Sequence, residues 1–299
     1  MKRDGGIASA LPSIDPQLCE VCGLCTEVCV SGNIKMLNDK PVVSIDTPLG
    51  CIACGQCMAA CPTGAMRVTG RRLSKDDAFP LPPSSGRATA EALEALLEAR
   101  RSTRHYQDRP VKMETVDRLL AMASTAPMGF PPTEVGVVVI NGKERVQELA
   151  ADLMEAFKKW RIFTNPVGYG LMRLMADKAT ADVMKQYVMP AVSSIIEARQ
   201  RNQDLLFYGA PCVLLFHYPL KDTVDSTIAC SLAVVAAEAL GLGSCIIGTV
   251  PPALQNDKKL KAKWGVPAAS RPSIAMILGY PAVEYRRGIR RRFASVKWL

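Results

Sequence analysis

Beyond residue 90, apolar positions recur at intervals of three and four residues, interrupted by short runs that are wholly apolar. The spacing over 91–101 and over 113–124 predicts two amphipathic helices. Uninterrupted β-branched and aliphatic runs are typical of strands buried on both faces. Three such runs predict buried strands, at 135–140, 213–217 and 274–278. Helices that alternate with buried strands place this region in the α/β or α+β class.

One apolar stretch, 228–250, is long enough to suggest a membrane span. It contains Glu238 and several glycines, and Pro251 and Pro252 follow it directly. No basic cluster flanks it. We therefore interpret it as a buried core helix followed by a turn, and we expect no membrane association.

The first 90 residues have a different pattern, dominated by cysteines. Eight of the eleven cysteines lie between residues 19 and 61, in two runs with the same spacing. The runs are Cys19, Cys22, Cys25 and Cys29, and then Cys51, Cys54, Cys57 and Cys61, the last followed by Pro62. β-Prone segments follow the runs, at 41–45 and 66–69. Such a repeat indicates that one supersecondary unit is used twice.

Four thiolates at this spacing can converge on one side of a loop, as a soft metal requires. A single tetrahedral zinc ion takes four ligands, fewer than the two runs provide together. A disulfide framework would need an oxidising compartment. Residues 1–6 show no apolar secretory segment, so we expect a cytoplasmic location. Iron–sulfur clusters are therefore favoured over both alternatives.

Residues 14–70 resemble the bacterial two-cluster ferredoxins, in which the fourth cysteine of each run binds the other cluster. The resemblance implies two 4Fe–4S clusters. Cluster one would be held by Cys19, Cys22, Cys25 and Cys61, and cluster two by Cys29, Cys51, Cys54 and Cys57. Val30 follows Cys29 where the family pattern has proline, which removes a turn restraint but no ligand.

The composition changes again over 71–90, where Arg, Ser, Asp, Gly and closely spaced prolines are typical of an interdomain linker. We therefore expect a ferredoxin-like domain over 1–72, a linker over 73–90 and a second domain over 91–299.

In the second domain, an arginine segment directly follows the first predicted helix; its polar residues are Arg100, Arg101, Ser102 and Arg104. Guanidinium groups beside a hydroxyl suit bidentate capture of a phosphate, although a solvated basic surface has the same composition. Gly241 and Gly243 lack the continuation of a nicotinamide-binding fingerprint. With only two histidines, the chain offers no plausible Ser-His-Asp triad.

The order of these features resembles the nitroreductase family of FMN enzymes over residues 91–299. The arginine segment precedes a helix, Ala126-Pro127, a strand, a long helical insertion and a core helix ending at 241–245, and Gly279-Tyr280-Pro281 and an arginine-rich tail complete the order. The resemblance implies an α+β fold with a central, mostly antiparallel sheet flanked by helices. It also implies FMN as a cofactor and a homodimer.

The resemblance assigns FMN contacts to several parts of this domain. The phosphate and ribityl chain would contact Arg100, Arg101, Ser102, Arg104, Arg290 and Arg292, and the ring would lie by the glycine-rich turn at Gly243, Ser244 and Cys245. In the tail, Arg286, Arg287 and Arg291 compete with Arg290 and Arg292 for these contacts. The family commonly follows Pro127 with small polar residues and an Asn that contacts the flavin. This chain continues with Met128, Gly129 and Phe130, so we expect backbone groups around Met128 and Gly129 to replace that contact. The predicted FMN contacts in this loop are Pro127, Met128 and Gly129.

Three further cysteines lie in the second domain. Cys245 is either a redox thiol near the flavin or a small packing residue, whereas Cys212 and Cys230 lie in apolar runs and are expected to pack. No side chain is distinguished as an essential acid or base, so FMN itself is expected to carry the catalytic step.

The formal net charge of +9 suggests an anionic partner. Nucleic acid is disfavoured, because no binding fold is recognisable and no aromatics interleave the basic tail. Two clusters and an FMN phosphate would themselves offset much of the positive charge.

Together these features predict an oxidoreductase. A low-potential donor, such as a reduced ferredoxin, would supply electrons through two clusters to FMN. The acceptor would be a small molecule of the nitroaromatic, quinone or activated enone class. The alternative is an electron-transfer flavoprotein that relays electrons to a protein partner without small-molecule turnover.

Overall fold

The computed structural model describes residues 9–44, 47–129, 134–160, 167, 170, 173, 178–220, 223–255 and 257–299. They form two compact units, which are treated separately below. The first consists of Met1–Ala88 with Met128–Glu134, and the second of Thr89–Pro127 with Val135–Leu299. The linker limits, 73–90, stay a prediction.

The first unit is built from two small antiparallel ladders and two short helices. In chain order these are β1 (Leu11–Ile14), α1 (Leu24–Glu27), β2 (Ile34–Leu37), β3 (Lys40–Val43), α2 (Gln56–Ala60) and β4 (Met66–Thr69). Strand β1 pairs with β4, and β2 forms a hairpin with β3. The predicted segment 66–69 coincides with β4, and the segment predicted at 41–45 overlaps β3.

The two cysteine runs fold in the same way, as the sequence repeat predicts. Val21 and Ala53 occupy equivalent positions and both have φ of 58°, and Gly23 and Gly55 follow with φ of 79° and 72°. The left-handed region is unusual for a β-branched residue such as Val21. The same backbone conformation occurs in both runs although the side chains differ, which indicates that the conformation itself is required.

A tight turn closes the first unit after β4. Gly70 and Leu73 exchange two backbone hydrogen bonds of 3.0 Å, and the residues between them, Arg71 and Arg72, have φ of 50° and 66°. Positive φ at both central positions is the conformation of a type I′ hairpin turn. The linker-like composition from residue 71 therefore begins inside a structured turn.

The second unit contains eight α-helices and a four-stranded sheet within the described residues. The helices are α3 (Ala90–Ala99), α4 (Met113–Ala123), α5 (Lys143–Trp160), α6 (Lys178–Val183), α7 (Met189–Gln200), α8 (Val224–Ala239), α9 (Val250–Gln255) and α10 (Lys258–Lys263). A π-helical turn, Met184–Val188, joins α6 to α7. The strands are β5 (Gly136–Asn141), β6 (Cys212–Tyr218), β7 (Gly243–Ile247) and β8 (Arg271–Gly279).

The sheet has the order β5-β6-β8-β7, and every neighbouring pair is antiparallel. The predicted α+β class, with an antiparallel sheet flanked by helices, is confirmed. Strand β6 lies centrally and is buried except at His217. The strand predicted as fully buried at 135–140 is only half-buried in this chain, because β5 lies at the edge of the sheet.

The interpretation of 228–250 as one helix and a turn is wrong. Helix α8 ends at Ala239, Gly241 reverses the chain with φ of 69°, and β7 follows where a glycine-rich turn was predicted. Pro251 and Pro252 lie in the first turn of α9, a position that tolerates proline. Hydrophobicity alone could not separate these elements, because helix and strand are both buried. Among the described residues, no helix has the length and hydropathy required to cross a membrane.

Candidate functional site

The cysteines of the first unit line two separate cavities. Cys19, Cys22, Cys25 and Cys61 line the first. Cys29, Cys51, Cys54 and Cys57 line the second. These are the two sets that the ferredoxin resemblance implies, and each cavity receives its fourth cysteine from the other run.

The exchange of the fourth cysteine follows from the local fold. Cys29 comes two residues after the end of α1, and Cys61 comes directly after α2. The two helices pack against each other, so the chain leaving each helix is directed to the other run. The small core beneath them, which includes Ile34, Met58 and Val68, holds this arrangement.

The cavities fit a polynuclear centre better than a single ion. Within the described part of the chain, no group of three or more His, Cys, Asp or Glu side chains is placed to bind one metal ion. Two separate sets of four thiols, each lining its own cavity, instead suit clusters whose irons each take one thiolate. This argues against the mononuclear zinc alternative.

The thiols in these cavities are crowded and partly desolvated. Burial, together with the neighbouring Cys54, Cys51 and Cys29, raises the pKa of Cys57 to about 12. Burial also raises the pKa of Cys25. Thiolates gathered this closely repel one another, and bound iron would stabilise them.

Cys61 differs from the other cluster cysteines in its hydrogen bonds. Burial by itself would raise its pKa, but backbone groups of Met66, Thr63 and Ala65 and the Thr63 side chain lower it overall. The turn that follows α2 thus surrounds this sulfur with hydrogen-bond donors.

In the second unit, the arginine segment lies beside the start of β7. The backbone N–H of Thr103 donates to the carbonyl of Ser244 at 2.8 Å, and Ser102 forms a parallel bridge with Ser244. Two predicted FMN-contacting segments, separated by about 140 residues of sequence, are therefore neighbours.

A second set of backbone bonds connects the arginine segment to the end of β8. Gln107 N donates to the carbonyl of Tyr280 at 2.9 Å, and Ala282 N donates to the carbonyl of His105 at 2.9 Å. Gly279 allows this approach, because a Cβ there would lie 2.6 Å from the Tyr106 ring. The Gly279-Tyr280-Pro281 motif therefore has a packing role at the site.

Buried groups on this ladder are held in their protonated forms. Burial raises the pKa of the Cys245 thiol, although the Arg104 charge and the Ser102 side chain oppose the shift. Burial raises the pKa of Tyr106 above its usual range, and its hydroxyl donates to the Thr103 carbonyl at 2.8 Å. Near neutral pH neither group is ionised.

The other arginines predicted to contact FMN have their described contacts outside the ladder with β7. Arg100 lies near Glu238, whose pKa burial raises and Arg100 lowers. Arg290 and Arg292 are exposed in the segment after β8, and that segment approaches α3 at Gly288, where a Cβ would lie 3.6 Å from the Glu98 carbonyl oxygen.

The loop after Pro127 divides between the units. Pro127 belongs to the second unit, whereas Met128 and Gly129 group with the first. Residues 130–133, where the chain departs from the family pattern, lie outside the described residues. Flavin contacts at Pro127, Met128 and Gly129 stay a prediction.

Sequence reasoning overlooked Thr103, Tyr106 and Thr63. Thr103 lies within the arginine segment but is buried, and it sets the register with β7. Tyr106 follows two residues after Arg104. The residue that makes room for its ring is Gly279, which lies far from it in the sequence. Thr63 could have been found from its place two residues after Cys61.

Gly243→Ala should disturb the ladder between the arginine segment and β7. A Cβ at Gly243 would lie 2.6–2.7 Å from the Thr103 side chain, and Thr103 is buried. We expect a loss of about 1–3 kcal/mol in unfolding free energy together with weaker FMN retention, measured by thermal unfolding and flavin content. Gly248→Ala is the matched control, because its Cβ would meet open space. Equal effects of the two variants would contradict the role of Gly243.

Comparison with known proteins agrees with this description. Residues 97–280 match the model of the nitroreductase family, and residues 18–66 match that of a 4Fe–4S dicluster domain. A curated relative, FMN reductase (NAD(P)H) of Bacillus subtilis strain 168, is 27% identical over 182 residues, 61% of this chain. The match spans 63% of that relative's length.

Two solved structures share the fold. They are nitroreductases with bound FMN from Bacteroides fragilis NCTC 9343 and Desulfitobacterium hafniense DCB-2, each 18% identical with a TM-score of 0.50. Each match covers 69% of this chain and 97% of the other.

The chain therefore combines an α+β unit that matches the nitroreductase family with a unit of two cysteine-lined cavities that matches a 4Fe–4S dicluster domain. The chain belongs to the nitroreductase family. The predicted ferredoxin–nitroreductase fusion is confirmed. The two family matches also agree with the predicted enzyme class, a flavin oxidoreductase, and with the predicted cofactors, FMN and 4Fe–4S clusters.

Proposed function

We propose that this protein is an oxidoreductase that passes electrons from a low-potential donor through two 4Fe–4S clusters to FMN and then to an organic acceptor. The observation that carries the proposal is the pairing, in one chain, of two four-cysteine cavities with a nitroreductase-type domain. The acceptor belongs to the nitroaromatic, quinone or activated enone class, and the donor is a reduced ferredoxin or a protein like it.

The arginine segment holds the FMN phosphate in this proposal. Arg100 and Arg101 are half-exposed, and Ser102 and Arg104 are exposed, so their charges and hydroxyl are available to an anionic group. The donor set fits a phosphate, because guanidinium groups bind its oxygens in pairs. The backbone ladder from Thr103 to Ser244 keeps this segment in register with β7.

Two titratable side chains on the ladder beside β7, Tyr106 and Cys245, are desolvated by burial. Tyr106 and Cys245 have raised pKa values and stay protonated near neutral pH. FMN, when bound, supplies hydride and single-electron chemistry by itself. The side chains named above bind and orient the cofactor, and protons come from solvent or from the substrate.

The proposal includes a homodimer. Helix α3 has no buried residue, and Leu93 and Leu97 are each 47% exposed in the single chain. The segment after β8 also exposes apolar side chains, among them Phe293 at 87% and Trp298 at 93%. Large exposed apolar side chains of this kind are typical of surfaces that a partner covers. Helix α8 is mostly packed within its own unit. Val224 at its start is 54% exposed, and Ile228, Leu232 and Val235 are partly exposed.

Cofactor analysis and acceptor turnover together test the proposed function. The protein is purified anaerobically, and iron, acid-labile sulfide and flavin are measured per chain. We expect about eight irons and one FMN. Dithionite-reduced protein is then mixed with nitroaromatics, quinones and enones, and oxidation of the flavin is followed. Absence of FMN would overturn the proposal. Reduction of a redox protein without turnover of any small acceptor would favour the relay alternative.

A further inference from the structure

The fourth cysteine of each run has a hydroxyl two residues further along the chain. Thr63 Oγ1 lies 3.7 Å from Cys61 Sγ, and Ser31 Oγ lies 3.8 Å from Cys29 Sγ. Both distances allow a hydrogen bond to sulfur. By spacing and distance the two cluster sites therefore look equivalent.

The Ser31 hydroxyl gives its proton to another acceptor. Ser31 Oγ donates to Asn33 Oδ1 at 2.6 Å, and a hydroxyl has one proton to donate. Asn33 Nδ2 donates to the Ser44 carbonyl at 2.8 Å. This bond fixes the orientation of the amide, so Oδ1 must face Ser31 as an acceptor. The Thr47 hydroxyl also donates to Oδ1, at 3.2 Å.

The Thr63 hydroxyl is arranged differently. Among the described residues, Cys61 Sγ is the hydrogen-bond partner of Thr63 Oγ1. A metal-bound thiolate has no proton and can only accept. The Thr63 hydroxyl must therefore donate to Cys61, whereas Ser31 presents lone pairs to Cys29.

We propose that Thr63 tunes the cluster of Cys19, Cys22, Cys25 and Cys61, raising its reduction potential through an O–H···S hydrogen bond that the other cluster lacks. The step concerned is a one-electron reduction in which no bond forms or breaks. The reduced cluster carries one more negative charge, so a donor at its sulfur stabilises the reduced form more. The inference rests on the proposed cluster ligands and extends the proposed function to the distribution of electrons between the clusters.

Arg71 does not change the expected comparison. Its guanidinium lowers the pKa of Cys51 against the larger effect of burial, so it also acts on the second cluster. Each variant below is compared with the parent protein, in which Arg71 is the same. The contribution of Arg71 to the reduction potentials is therefore the same in parent and variant, and it cancels in the comparison.

The test is a potentiometric titration of the full-length protein followed by electron paramagnetic resonance. Thr63→Val keeps the shape of the side chain and removes the hydroxyl that donates to Cys61 Sγ. At a fixed potential near the midpoint, we expect the ratio of reduced to oxidised cluster to fall about three- to tenfold for one cluster only. A tenfold change corresponds to 59 mV for a one-electron couple. Thr63→Ser keeps the donor and should restore the parent value, and Thr63→Ala repeats the loss if the Val variant assembles poorly.

Ser31→Ala is the matched control, because Ser31 occupies the equivalent position without donating to sulfur. We expect neither couple to move to lower potential in this variant. A full iron content with an unshifted titration in both Thr63→Val and Thr63→Ala would overturn the inference. An equal downward shift in Ser31→Ala would overturn it too. A parent protein with far fewer than eight irons would instead contradict the cluster assignment.

Discussion

Cys61→Ala is expected to lower the iron content from about eight per chain to between four and seven. Cys61 belongs to the second run, but its side chain lines the cavity of the first run with Cys19, Cys22 and Cys25. A cluster that lacks one thiolate loses at least the iron that this thiolate would hold. The damage should therefore appear in the cluster of the first run, while the cavity of Cys29, Cys51, Cys54 and Cys57 keeps all its ligands.

Iron and sulfide analysis measures the loss, and electron paramagnetic resonance shows that one cluster remains intact. Cys212→Ala is the matched control, because Cys212 is fully buried on β6. Its pKa is raised to about 12 by burial, as expected of a packing thiol. This control should keep all the iron and lose only stability. Equal iron loss in both variants, or none in Cys61→Ala, would contradict the exchange of the fourth cysteine.

The paired change Arg100→Ala and Arg104→Ala is expected to weaken FMN binding by about a hundredfold or more. Each guanidinium would make charge-assisted hydrogen bonds to the phosphate, worth about 1.5–3 kcal/mol each. Two such losses exceed the 2.7 kcal/mol or so that a hundredfold change in affinity requires. FMN per chain after desalting, and titration of the flavin-free protein by fluorescence, measure the effect.

Arg118→Ala, combined with Arg87→Ala, controls for the loss of two positive charges. Arg118 is exposed on α4 and Arg87 is exposed before α3, so neither belongs to the arginine segment. The control protein should retain FMN. If the paired variant retained as much FMN as the control, the phosphate would have to be bound elsewhere.

Much of the fold could be predicted because its signals are local. Helix α4 begins at the predicted residue 113, and β4 coincides with the predicted 66–69. Strands β6 and β8 were found from continuous apolar runs, since both lie inside the sheet. The exception is 228–250, where a helix and a strand are both buried and one apolar stretch encodes both.

The cluster site was also largely predictable, because the cysteines are themselves the ligands and their spacing is visible in the sequence. The flavin site was less so. The arginine segment and the glycine stretch before Cys245 were recognised separately, but their contact through Thr103 and Ser244 depends on the register of β7. Sequence spacing does not report a register between segments that are so far apart.

By itself, the sequence predicted the two four-cysteine runs, the class of the second domain and the arginines available to a phosphate, because each depends on residue type and short-range spacing. Only the tertiary structure decided which sulfur receives a hydroxyl proton. Thr63 and Ser31 stand at the same distance in sequence from their cysteines, and they differ through Asn33, whose amide is oriented by the Ser44 carbonyl. A hydroxyl has one proton, so its use is settled by whichever acceptor the fold places nearest.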